Sequence, residues 1–179
     1  KNDKKKTLSL PRAVDMIYNG DATEYNLTLL NSRTNDEIIF IDNNDDRSYD
    51  LILIYDYQDY VTNIVRPEKM EISLQYGEKT LRLEDDVVRV YYQGTPSSMD
   101  YIGNNEVISV AVSNNSTGDK LYTIKTGFEP ISGTVKSLGV EDERRVLEIG
   151  DKEYFLSSYA ESLISKNKLN DISSSDEGT

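Results

Sequence analysis

The chain has 179 residues and a formal charge of −12, from 32 acidic and 20 basic side chains, with 37% hydrophobic residues, 13 tyrosines and no histidine, cysteine or tryptophan. Without histidine or cysteine there is no Ser/His/Asp or Cys/His catalysis within the chain, no zinc, haem-attachment or iron–sulfur motif, and no disulfide. An acid excess of this size repels phosphate backbones, which argues against generic nucleic-acid binding, and no run approaches the ~20 apolar residues of a membrane-spanning helix.

The chain opens on a charged segment, Lys1, Lys4, Lys5 and Lys6 beside Asp3, with nothing to bury. Residues 1–8 read as a tether of the kind left when a secreted protein or lipoprotein is processed, which places the expected lipid anchor before residue 1. A short helix is predicted next: Ser9 caps it, Pro11 suits its first turn, Ala13, Val14, Met16 and Ile17 form its apolar face, and Asn19-Gly20 stops it.

The period then changes to two. Tyr25, Leu27 and Leu29 alternate with Asn26 and Thr28, which predicts a half-buried strand. Strands follow at 37–41, 51–57, 61–65, 70–76, 80–83 and 87–92, then at 107–112, 121–126, 131–138, 145–149 and 153–156. In the strongest of them Leu51, Leu53, Tyr55 and Tyr57 share one face, and Ile52, Ile54 and Asp56 the other. Gly77-Glu78, the 114–119 loop and Gly150-Asp151 supply hairpin turns, so antiparallel neighbours are expected. A second helix is predicted over 157–168, with Tyr159, Leu163 and Ile164 as its apolar stripe.

These elements place the chain in the mainly β class. The expectation is an antiparallel β-sandwich, immunoglobulin-like or related, or a partly open barrel, with a short N-terminal helix and a C-terminal helix. The strand 107–112, the loop after it and the strand 121–126 together resemble the hairpin of immunoglobulin-like sandwiches in bacterial surface lipoproteins. That resemblance is architectural and implies no function. Residues 9–94 form a β-rich domain or the first half of one sandwich. Residues 95–105 read as a linker, with Pro96, two serines, Gly103 and paired asparagines, and with Met99, Tyr101 and Ile102 as plugs. Residues 106–168 are the β-rich second half with its helix, and 169–179 a polar tail.

Three clusters bear on chemistry. The run from Asp42 to Asp50 sets oxygen ligands at alternate positions, and Asp42, Asn44, Asp46 and Asp50 are the candidate ligands for a weak, partly solvated Ca²⁺. Against an EF-hand loop, Arg47 stands where glycine permits the turn and Leu53 where a bidentate glutamate belongs, so an acidic turn without metal is the first reading. Ca²⁺ is the one cofactor considered, because no GxGxxG or Walker glycine pattern exists. Tyrosine is the second theme. Tyr57 and Tyr60 flank the polar break Gln58-Asp59 and are the candidate partner-binding residues, since exposed tyrosine stacks on sugars and anchors protein partners. Glu84-Asp85-Asp86 is a carboxylate cluster of the type that glycoside hydrolysis uses. Lys125 and Lys136 are placed by alternation on the wet faces of their strands, which argues against Schiff-base chemistry.

The leading functional expectation is a non-enzymatic extracytoplasmic binding or structural module. It would be the exposed part of a surface protein or lipoprotein, meeting a protein or polysaccharide partner outside the cell. Abundant Asn, Asp, Lys, Ile and Tyr suggest a low-GC bacterium by compositional association alone. The alternatives are a structural protein of a phage or other assembly, and a carboxylate-dependent hydrolase.

Overall fold

Val14, Met16, Ile52 and Ile54 turn to one side of two neighbouring strands, are nearly excluded from water, and centre the first of three sheets. The computed structural model describes residues 14–30, 36–46, 48–113, 118–141 and 144–168. The small sheet has four strands, β1 (Asp15–Tyr18), β2 (Asp21–Thr23), β3 (Glu37–Ile41) and β4 (Leu51–Tyr55), in the order β2-β1-β4-β3. Met16 and Ile17 therefore lie in a strand, not in the expected N-terminal helix, whose earlier residues 9–13 fall outside those described. The reason is non-local. β1 runs parallel to β4 with Met16 opposite Ile52, so period-two burial of Val14 and Met16 overrides a weak helical face. Asn19 and Gly20, at φ 50° and 97°, are the two-residue turn between β1 and β2, where both positions need positive φ.

The strand expected around residues 25–29 is also absent. Leu27–Leu30 is a 3₁₀ turn, because the Asn26 side-chain oxygen accepts from the Thr28 amide at 3.0 Å and from its hydroxyl at 2.7 Å. Such a local capture competes with a sheet ladder and wins here. Leu29 and Leu30 then pack on the small core.

The chain leaves β4, crosses at Asp56 and Tyr57, and enters the large sheet. Its strands are β5 (Gln58–Arg66), β6 (Glu71–Leu74), β7 (Leu81–Arg82), β8 (Val87–Tyr92), β9 (Thr95–Ser97), β10 (Val107–Val112) and β11 (Leu121–Thr126). They are ordered β7-β6-β5-β10-β11-β8-β9, so both edges are short strands and no barrel closes. The sheet is mixed. β8 and β11 are parallel, as are β1 and β4, which corrects the purely antiparallel expectation. Each parallel pair is separated by well over the dozen residues that such a crossover requires. One face carries the main core, with Ile72, Leu74, Val90, Ile108, Val110 and Ile124, closed over by Leu83, Met99 and Ile102 from the connections.

A third sheet follows as an antiparallel meander, β12 (Val135–Glu141), β13 (Arg144–Ile149) and β14 (Lys152–Phe155). The one α-helix among the described residues, α1 (Ser158–Ser165), lies within the span expected for it. Ser157 caps it by accepting from the Ala160 amide at 3.2 Å, and Leu163 and Ile164 are buried. Tyr159 meets Tyr60 of β5 edge-on at 6.0 Å, and Arg145 of β13 pairs with Glu161 at 3.3 Å. No helix among the described residues is long and apolar enough to cross a membrane.

Candidate functional site

Alternation in the large sheet sends Val90, Ile124 and Val110 to the core and turns their neighbours to the opposite face. Register then lines those neighbours up. Asp59 faces Ser109, Ser109 faces Lys125, and Lys125 faces Tyr91, giving one row across four strands. The adjacent row joins Ala111, Thr123 and Arg89. This face is polar yet partly buried, because the small sheet covers it. Asp59 and Ser109 are excluded from water and share a hydrogen bond of 2.6 Å, the serine hydroxyl donating.

Where the two sheets meet, Glu37 and Tyr55, paired across β3 and β4, look toward Lys125. The Lys125 ammonium donates to the Glu37 carboxylate at 2.5 Å and sits 4.3 Å from the centre of the Tyr57 ring. Tyr55 and Tyr57 stack with ring centres 6.0 Å apart and planes 22° apart. Beside this group opens a cleft of about 290 Å³, walled by Tyr55, Tyr57, Tyr91 and Ile39 and edged by Arg89, Thr123 and the Lys125–Glu37 pair. Tyr57 is 6% exposed. Burial first, then the Glu37 carboxylate and the neighbouring Tyr55 and Tyr91, push its hydroxyl well above the usual tyrosine range. The group therefore remains a neutral hydrogen-bond donor.

The two candidate tyrosines part company. Tyr57 enters the cleft, while Tyr60 packs against the main core and under Tyr159, on the other side of the sheet. The small sheet also changes the standing of Lys125. Its face is the outer one, as alternation predicts, but only 32% of its side chain meets water. Lys136, paired with Asp151 at 2.8 Å, is the wet-faced lysine. Glu37 and Arg89 line the site without having stood out in the sequence, and Tyr91, part of the tyrosine theme, joins them. A lone arginine in the otherwise apolar run VVRVYY was the signal available for one of them.

The acidic loop holds itself together. Asp42 accepts from the Asn44 amide, Asn44 from the Asp46 amide, Asp46 from the Ser48 amide, and Asp50 from the Asn43 amide, at 2.8–3.2 Å. Each of the four candidate ligands thus spends an oxygen on the loop's own backbone. Among the described residues no three acidic side chains gather as a metal site. Glu84 and Asp85 are exposed on a turn, and Asp86 accepts from the Lys120 amide at 2.9 Å.

No family model, curated protein or solved structure matches the chain. The cleft offers flat aromatic walls, a fixed donor–acceptor pair and a second cation, which suits holding a small polar ring.

Proposed function

We propose that this chain is a non-enzymatic binding module, working outside a bacterial cell, that receives one unit of a polysaccharide in the cleft between its small and large sheets. The observation that carries the reading is three tyrosine rings walling a 290 Å³ cleft beside the Lys125–Glu37 pair. A sugar presents C–H faces that stack on aromatic rings and hydroxyls that exchange hydrogen bonds with charged side chains. The volume, about 290 Å³, falls just under the ~300–1,000 Å³ typical of ligand sites, which suits a single ring and is small for a dinucleotide. The extracytoplasmic setting rests on composition, a chain without cysteine and rich in Asn, Asp, Lys and Tyr.

Calorimetric titration of a panel of cell-surface oligosaccharides tests the reading. The wild type binds at least one member, and Tyr91→Ala, with an unchanged melting curve, binds it about tenfold more weakly, a loss near 1.4 kcal/mol. Absence of binding across the panel, or full affinity in the variant, defeats it.

A further inference from the structure

We propose that the sugar recognised by the cleft carries a carboxylate, as a hexuronic acid does, and that Arg89 is the residue that selects it. This rests on the saccharide reading of the cleft and adds its chemical class.

The three ionisable groups edging the cleft that carry charge at neutral pH are Glu37, Lys125 and Arg89. Glu37 and Lys125 neutralise each other at 2.5 Å. Arg89 is exposed and has no acidic partner among the described residues, in a chain whose net charge is −12. An acidic protein that keeps one unmatched cation at the lip of its aromatic cleft has a local field opposite in sign to its surroundings. That draws one negative charge to this point and repels anions elsewhere.

Position makes the charge selective. Arg89 and Tyr91 are two residues apart on one face of β8, roughly 6.6 Å along the strand. A pyranose lying over the Tyr91 ring therefore presents its exocyclic carbon within reach of the arginine side chain. The guanidinium is a planar fork of donors that matches the two coplanar oxygens of a carboxylate. A single carboxylate also balances the single uncompensated positive charge, whereas a phosphate dianion would leave an excess negative charge beside Glu37. Opposite Arg89, Thr123 supplies a buried hydroxyl on the same face, able to exchange a hydrogen bond with a ring hydroxyl.

The test titrates the full chain with hexuronate oligosaccharides, with the neutral oligosaccharides of the same linkages, and with sulfated ones. Arg89→Gln and Arg89→Lys are compared with the wild type. Arg89 is exposed, so neither variant threatens folding, and matched melting curves check this. The expected result is binding of a hexuronate at least tenfold tighter than its neutral counterpart. Arg89→Gln should erase that difference, weakening hexuronate binding at least tenfold more than neutral binding, and Arg89→Lys should restore only part of it, because it keeps the charge and loses the fork. Equal affinity for acidic and neutral sugars, or preference for the sulfated series, overturns the carboxylate assignment and leaves the saccharide reading standing. Failure to bind any sugar overturns the saccharide reading itself, and this assignment with it.

Discussion

The carboxamide of Asn19 donates to the backbone carbonyl of Val112 at 3.0 Å, tying the turn of the small sheet to the end of a central strand of the large one. Its oxygen accepts from the Asp56 amide at 2.8 Å, where the chain crosses between the sheets. One buried side chain thus sets how the sheets meet, and with it the width of the cleft that they enclose.

Replacing Asn19 should accordingly be costly. Asn19→Ala strands a backbone carbonyl and a backbone amide, at about 1–3 kcal/mol each, and removes a residue that tolerates φ 50°. The expected loss is about 2–4 kcal/mol in urea-induced unfolding, and it should be accompanied by weaker ligand binding. A loss under about 0.5 kcal/mol, the size of an ordinary surface substitution, contradicts this role.

Alkaline stability should depend on Tyr57. Its hydroxyl titrates higher in the folded chain than the ordinary 10.0, so its contribution is complete below pH 10. Above that value the unfolded chain releases the proton while the folded chain retains it, and stability falls with rising pH by up to about 1.4 kcal/mol per unit. Tyr60, Tyr122 and Tyr159 shift in the same direction, mainly through burial. Tyr57→Phe should therefore flatten part of the alkaline decline, read from denaturant midpoints across pH 9–12, and leave the rest. An unchanged slope would place the Tyr57 hydroxyl in water.

The Lys125–Glu37 pair should stabilise the fold only weakly. Both side chains keep substantial contact with solvent, 32% and 42% exposed, so screening and side-chain entropy offset much of the Coulomb attraction. A double-mutant cycle with Lys125→Met and Glu37→Gln should give a coupling below about 1 kcal/mol that shrinks as salt is added. Coupling above about 2 kcal/mol would mean that the cleft excludes water even when empty.

For the acidic loop, the hydrogen bonds among Asp42, Asn44, Asp46 and Asp50 predict that millimolar Ca²⁺ does little. A ligand present at its dissociation constant stabilises a fold by only about 0.4 kcal/mol. The melting temperature should move within error, and Asp46→Ala should lower it by removing the turn that Ser48 needs. A calcium-dependent rise in the wild type that disappears in Asp46→Ala would instead establish a cation site.

Much of the candidate site was hidden by the same cause that altered the fold. Tyr57 is legible because it ends a strong alternating run. Lys125 looks solvated, since nothing near it in sequence reveals that β3 and β4 will lie over its face. Glu37 opens an apolar strand and reads as an ordinary terminal charge until it meets Lys125, 88 residues away.

What the sequence determined by itself is local. Val107–Val112 and Leu121–Thr126 alternate so strongly that their limits are those of β10 and β11, and Ser157 caps α1, because period and capping act within a few residues. Only the tertiary structure decided that Met16 belongs to a strand, that β1 with β4 and β8 with β11 run parallel, and that a polar sheet face is roofed into a cleft. Those outcomes depend on which distant segment a strand meets, and the free energy of burying one apolar face against another is absent from either segment alone.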